Sequence, residues 1–134
     1  MKFGTVIIAD FNQNMLTSIR GLLDTIFNTT VMVADKESLF ETTEKLNPNL
    51  VIVDLSISVS RETNILQQLK IRFPNIKIII LSVHDDSVVA EKVMNAGGSG
   101  FVAKSSAATD LIPAVTAVLN GGKFISPSVE MSNR

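Results

Sequence analysis

Four short apolar runs in the chain each end on one polar residue whose side chain could take part in chemistry. In chain order these residues are Asp10, Asp54, Ser82 and Lys104. The runs are rich in β-branched residues and alternate with stretches of helical spacing, which indicates buried parallel strands. In an open parallel α/β sheet, ligands bind outside the carboxyl ends of the strands. We therefore expect two carboxylates, a hydroxyl and an ammonium to converge at one edge of one sheet.

Side chains of these types suit the transfer of a phosphoryl group. An aspartate can attack phosphorus and form an acyl phosphate. Carboxylates can hold Mg²⁺, which neutralises charge on the transferred oxygens. An ammonium and a hydroxyl can hold two further phosphoryl oxygens. Because the transition state is loose, catalysis of this kind depends mainly on positioning and electrostatics.

Length and composition restrict the class of protein. The 134 residues, of which 46% are hydrophobic, suit one packed domain. A net charge of −1 gives no bulk reason to expect binding to nucleic acid or to a membrane surface. The absence of cysteine excludes disulfides and thiolate chemistry. There is no pattern of a signal peptide or bilayer span, so we expect a cytoplasmic protein with no membrane partner.

Amphipathic helical patterns follow each of the predicted strands. The pattern predicts a (βα)5 order, in which a doubly wound, five-stranded parallel sheet has helices on both faces. Asp35 is a candidate N-cap of the second helix, and residues 56–63 lack periodicity, which predicts a loop at the site. Residues 123–134 also lack a periodic pattern. We therefore expect a domain over 1–122 and a tail or linker over 123–134.

The segments Leu81–Asp86 and Asn95–Lys104, together with the acids after the first and third strands, resemble a known family. They are similar to the receiver domain of bacterial two-component response regulators, which has a flavodoxin-like or CheY-like α/β fold. The resemblance covers nearly the whole chain and is strongest to the branch with a LuxR-type helix-turn-helix effector. Gly121–Pro127 resembles that branch's exit toward the effector, so 123–134 would begin a linker to a DNA-binding domain missing from this chain.

The resemblance implies a role for each of the matching residues. Asp54 is the expected phospho-acceptor from a sensor histidine kinase, and Ser82 and Lys104 are expected to contact the phosphoryl group. Ser82 and Phe101 are the expected switch residues, which turn inward on phosphorylation. The fourth helix, fifth strand and fifth helix form the expected output face, through which a homodimer could also form. The implied protein is a bacterial, cytoplasmic regulator of transcription and not an enzyme.

The expected Mg²⁺ ligands are Asp10, Asp54 and the backbone carbonyl of Ser56. Family members usually carry two adjacent acids after the first strand, but here Phe11 follows Asp10 and weakens the metal site. Two functions therefore stay open. The chain is either a phosphorylated receiver or a degenerate receiver that acts as a phosphorylation-independent module for dimerisation or partner docking.

Three enzyme classes that use similar sheets lack their signatures here. A Rossmann-type enzyme needs a glycine-rich turn after the first strand, but residues 11–14 of this chain contain no glycine. A P-loop nucleotidase needs a Gly-Lys-Ser/Thr motif, which is absent. A haloacid-dehalogenase-like phosphatase needs an acid where Asn12 stands. The simpler alternative for each polar strand end is an ordinary helix cap or solvated side chain.

Overall fold

The computed structural model describes residues 2–11, 17–54 and 59–131. Strands and helices alternate along these residues, with a 3₁₀ turn after the fifth strand. The elements are β1 (Phe3–Asp10), α1 (Thr17–Ile26), β2 (Phe27–Val33), α2 (Lys36–Leu46), β3 (Leu50–Asp54), α3 (Val59–Arg72), β4 (Ile78–Ser82), α4 (Ser87–Asn95), β5 (Gly100–Ala103), the 3₁₀ turn (Lys104–Ser106), α5 (Ala107–Leu119), β6 (Phe124–Ile125) and α6 (Pro127–Met131).

The strands pair in the order β2-β1-β3-β4-β5-β6, and each of these pairs is parallel. This arrangement confirms the predicted α/β fold class. Within the described residues the sheet has six strands, one more than the five that the sequence predicts. Strands β1, β3 and β4 end on Asp10, Asp54 and Ser82, and Lys104 directly follows β5.

The two faces of the sheet are covered by separate layers of helices. One layer packs α2, α3, α4 and α6 against alternate residues of the strands. The other layer packs α1 and α5 against the intervening strand residues, whose side chains point to the opposite face of the sheet. Because side chains alternate across a strand, central strands buried on both sides must be apolar at nearly every position. This requirement explains why the polar residue at each strand end stands out.

Local signals in the sequence set several helix ends. The backbone N–H of Ser38 donates to Asp35 Oδ1 over 2.7 Å, which confirms Asp35 as the N-cap of α2. Asn47 ends that helix in the left-handed region at φ 49°, just before a proline. Asp86 caps α4 in the same way by accepting from the N–H of Val89 over 2.8 Å.

Two element boundaries differ from the sequence-based expectation. Helix α3 already begins at Val59, so the predicted loop over 56–63 is wrong from that residue onward. Residues 55–58, including Ser56, lie outside the described residues. The second strand is expected over Thr30–Ala34 from its β-branched run, but β2 already begins at Phe27. The buried Phe27 ring lies 5.7 Å from the tilted ring of Phe3, its neighbour in register on β1.

The segment after Gly122 also differs from the expected pattern. Phe124 and Ile125 form β6 against β5, and α6 follows and contacts α4. A two-residue strand is too short to show a period-2 pattern, so the sequence carries no signal for it. That 123–134 acts as a linker to a further domain stays a prediction. No helix among the described residues is long and apolar enough to cross a membrane.

Candidate functional site

The two aspartates lie side by side at the ends of neighbouring strands. Asp10 on β1 pairs in register with Asp54 on β3, and both side chains are buried. Neighbouring strands run about 4.8 Å apart, which makes the two carboxylates close neighbours. Ile8 and Ile52, two residues earlier on the same strands, face the layer of α1 and α5. By strand alternation, both carboxylates lie on this face of the sheet.

Lys104 supplies the positive charge of the site. Its Nζ lies 3.0 Å from Asp54 Oδ2 and 3.3 Å from Oδ1. The lysine side chain is 15% exposed and the aspartate side chain 0%, so most of this ion pair is removed from water. Lys104 begins the 3₁₀ turn directly after β5, and its long side chain passes β4 to reach the end of β3. The ammonium thus compensates a charge that burial alone would make costly.

Ser82 ends β4, the strand between the one that carries Asp54 and the one that precedes Lys104. The side chain is buried, and its hydroxyl oxygen accepts the backbone N–H of His84 over 3.0 Å. A hydroxyl that accepts one hydrogen bond still has its own proton to donate. Ser82 can therefore close the β4–α4 turn and offer a donor at the same edge of the sheet. The structure thus brings all four predicted side chains to one edge.

The two phenylalanines of interest lie on the other face. Phe101 is fully buried in the layer of α2, α3, α4 and α6. Phe11 is partly buried and packs against the same layer, on the opposite side of the sheet from Asp10. Position 11, where the family usually carries a second acid, therefore supplies an apolar contact to the core and no carboxylate.

The donor set at this edge fits Mg²⁺ with few protein ligands. Mg²⁺ is commonly held by one or two carboxylates, with water and phosphate oxygens completing the octahedron. Asp10 and Asp54 supply two carboxylates on one face. The expected third ligand, the carbonyl of Ser56, lies outside the described residues. Within the described ranges, no three acidic or histidine side chains cluster as a metal site.

One buried polar residue beside the site escaped the sequence analysis. Ser126 is fully buried after β6, and its hydroxyl oxygen accepts the backbone N–H of Ala103 over 3.0 Å. Ala103 is the residue before Lys104. The only sequence signal was the Ser-Pro pair that follows β6, since proline favours the first position of a helix.

A doubly wound parallel sheet with two acids, a hydroxyl and a lysine at its strand ends defines the receiver class of signalling domains. Residues 6–116 match the family of response regulator receiver domains, and the chain belongs to this family. Receiver domains of response regulators pair with histidine kinases and generally bind Mg²⁺ at the phosphorylation site.

Curated relatives are response regulators of the LuxR family. The chain is 30% identical over 126 residues to the transcriptional regulatory protein DegU of Brevibacillus brevis, covering 92% of this chain and 53% of DegU. It is 31% identical over 129 residues to RcsB of Escherichia coli K12, covering 92% of this chain and 60% of RcsB. The chain therefore spans little more than half the length of these transcriptional regulators. The predicted family and its LuxR-type branch are confirmed.

Solved structures give the same assignment. The isolated REC domain of RcsB from Salmonella enterica serovar Typhimurium, with phosphomimetic BeF₃⁻, superposes with a TM-score of 0.82 at 29% identity, covering 98% of both chains. The RcsB–DNA complex superposes with a TM-score of 0.84 at 29% identity, covering 98% of this chain and 67% of that chain. The fold of a receiver domain thus accounts for nearly every residue of this chain.

Proposed function

We propose that the chain is a phospho-accepting receiver in which Asp54 takes a phosphoryl group from a sensor histidine kinase. A carboxylate oxygen of Asp54 attacks phosphorus while the bond from phosphorus to the kinase histidine breaks. The electron pair of that bond stays on the histidine nitrogen, and an acyl phosphate forms on Asp54. The observation that carries the proposal is the Lys104 ammonium, 3.0 Å from the fully buried Asp54 carboxylate.

The neighbouring side chains supply the electrostatics of this step. The Lys104 ammonium is paired with the Asp54 carboxylate and can bind a phosphoryl oxygen once the acyl phosphate has formed. The Ser82 hydroxyl has a proton to donate to a second oxygen. Asp10 and Asp54 would hold Mg²⁺, with the Ser56 carbonyl as the expected third ligand, and bound Mg²⁺ neutralises charge on phosphoryl oxygens. Because Phe11 supplies no carboxylate, we expect weak Mg²⁺ affinity.

The proposed output is a shift between two conformations of the domain. A phosphoryl group on Asp54 favours the state in which Ser82 turns toward it and gives up the N–H of His84. The output face consists of α4, β5 and α5, and β6 and α6 extend its edge by pairing with β5 and contacting α4. A homodimer would form through this face.

The cellular role follows from the relatives. DegU and RcsB are transcriptional regulators, and RcsB has been solved in complex with DNA. We propose that the chain acts in the bacterial cytoplasm and controls transcription through a LuxR-type effector domain outside this chain. In this role 123–134 would lead from the receiver toward that domain.

A second function is favoured by one feature of the sequence at the site. Phe11 stands where the family usually carries a second acid. A degenerate receiver, used for dimerisation or partner docking without phosphorylation, would show this feature. The retention of Asp54, Ser82 and Lys104 at one edge favours the phosphorylated receiver over this alternative.

Intact-mass spectrometry after incubation with acetyl phosphate and Mg²⁺ separates the two functions. We expect the parent chain to gain one phosphoryl mass and Asp54→Asn to gain none, because an amide cannot replace the attacking carboxylate. Asp24→Asn changes an exposed acid on α1 and should gain the same mass as the parent. Absence of the adduct from the parent chain over a wide range of Mg²⁺ concentration would support the degenerate receiver.

A further inference from the structure

Ser126 is the buried polar residue near the site to which the proposed function gives no role. It joins β6 to α6, and we call Phe124–Met131 the C-terminal strap. The strap is held by more than Ser126. Val129 on α6 is fully buried in the same apolar layer as Phe101, and Ile125 on β6 packs against that layer. The side chain of Ser126 therefore occupies a fixed place at the outer edge of β5.

Ser126 makes two hydrogen bonds to the backbone of β5. Its own N–H donates to the carbonyl oxygen of Phe101 over 3.0 Å. Its hydroxyl oxygen accepts the N–H of Ala103, also over 3.0 Å, at a buried position. The first bond continues the pairing of β6 with β5. In the second bond, the side chain of Ser126 takes the place of a backbone carbonyl that a longer β6 would supply. This bond fixes Ala103, the last residue of β5.

The end of β5 sets where the Lys104 side chain starts. On its other edge, Ala103 pairs in register with Ser82 of β4. Ser82 and Ala103 therefore lie side by side at the level of the site, and the Ser126 hydroxyl bonds to Ala103 from the opposite edge of β5. Lys104 follows Ala103 directly and reaches Asp54 over 3.0 Å. Without the Ser126 hydroxyl, the buried N–H of Ala103 loses its partner, and the strand end must shift to regain one.

We propose that Ser126 is a positioning residue for phosphoryl acceptance, holding the end of β5 so that the Lys104 ammonium lies on the acceptor carboxylate. This role rests on the proposed function of Asp54. It makes the strap part of the site, because a displacement of β6 is transmitted through Ala103 to Lys104. The converse also holds, since a change in the position of Lys104 on phosphorylation acts on the strap through the same hydrogen bond.

The test measures the rate of phosphoryl uptake from acetyl phosphate with Mg²⁺. In this step a carboxylate oxygen of Asp54 bonds to phosphorus, and acetate leaves with the electron pair of its bond. We expect Ser126→Ala to slow uptake about three- to tenfold, the rate equivalent of one typical hydrogen bond. Thr43→Val is the matched control, since it removes a buried hydroxyl that bonds to Leu39 within α2. It should leave the rate unchanged.

A double-mutant cycle shows whether Ser126 acts through Lys104. In a Lys104→Met background, or Lys104→Gln if the methionine variant does not fold, Ser126→Ala should slow uptake no further, because neither side chain carries a charge to be positioned. An equal slowing in both backgrounds would overturn the positioning role. A Ser126→Ala variant that melts earlier but keeps the parent's rate would also overturn it, because the hydroxyl would then be structural only.

A second readout keeps the role testable without phosphorylation. The ¹⁵Nζ resonance of Lys104 reports on its contact with Asp54. Ser126→Ala should shift this resonance and speed solvent exchange of the Ala103 amide, whereas Thr43→Val should do neither. If the parent chain takes up no phosphoryl group, the proposed function fails, and this pair of spectra alone decides whether Ser126 positions Lys104. An unshifted resonance in Ser126→Ala would contradict the role.

Discussion

Replacement of Lys104 by methionine is expected to lower the free energy of unfolding by about 2–4 kcal/mol near neutral pH. Breaking a fully buried ion pair typically costs about 3–5 kcal/mol, because the remaining charge stays buried without compensation. The Asp54 side chain is fully buried and lies in register with Asp10, a second acid. We take a value below the full range because the Lys104 side chain is 15% exposed, which lets water reach the pair.

Urea unfolding followed by far-ultraviolet circular dichroism measures this loss. The control is the double variant Lys104→Met with Asp54→Asn, which carries no buried charge at position 54 and should recover most of the loss. A deficit below about 1 kcal/mol, or one that the double variant does not recover, would contradict a buried ion pair.

Val129→Asp in the C-terminal strap is expected to lower the free energy of unfolding by about 2–4 kcal/mol. Val129 is fully buried, and burial of such a side chain contributes about 1.5–3 kcal/mol. A carboxylate cannot occupy that place without a partner, so the strap should detach from α4 and β5. Detachment also removes the hydrogen bond between Ser126 and Ala103, which adds about 0.5–1.5 kcal/mol. The loss is limited because the rest of the domain can stay folded.

Thermal unfolding and amide hydrogen exchange along β5 are the measurements for this prediction. Ser128→Asp introduces the same charge at the exposed neighbouring position, in the first turn of α6. It should change stability by no more than about 0.5 kcal/mol, because acids near a helix N-terminus are mildly favourable. Equal melting temperatures and equal β5 exchange for the two variants would mean that the strap is undocked in solution.

The sheet and its polar edge could be predicted because burial on both faces leaves a strong mark. Strands such as Leu50–Asp54 are apolar at every position except the last, and the sequence has three further apolar runs that end on a single polar residue. Parallel topology alone places Asp10, Asp54, Ser82 and Lys104 at the same edge of the sheet, whereas the register of Asp10 with Asp54 is seen only in the structure. The order of these residues along the chain, acid, acid, hydroxyl and lysine, matches the receiver family and so pointed to one family of proteins.

Other features depend on contacts that leave no local pattern. Strand β6 has two residues and exists because the edge of β5 offers it partners. Helix α6 has Val129 as a buried anchor, and one apolar residue gives no periodicity. The hydrogen bond from Ala103 to Ser126 spans 23 residues of sequence, so no motif marks it. The start of α3 at Val59 was hidden because the sequence over 56–63 has no clear periodicity.

Chemical mapping of the phosphorylated residue identifies the phospho-acceptor. After incubation with acetyl phosphate and Mg²⁺, borohydride reduces an aspartyl phosphate to homoserine, which tandem mass spectrometry locates in a peptide. We predict homoserine at position 54 in the parent chain and none in Asp54→Asn. Homoserine at Asp10 or at an exposed acid, or none at any position, would contradict the assignment of Asp54 as the phospho-acceptor.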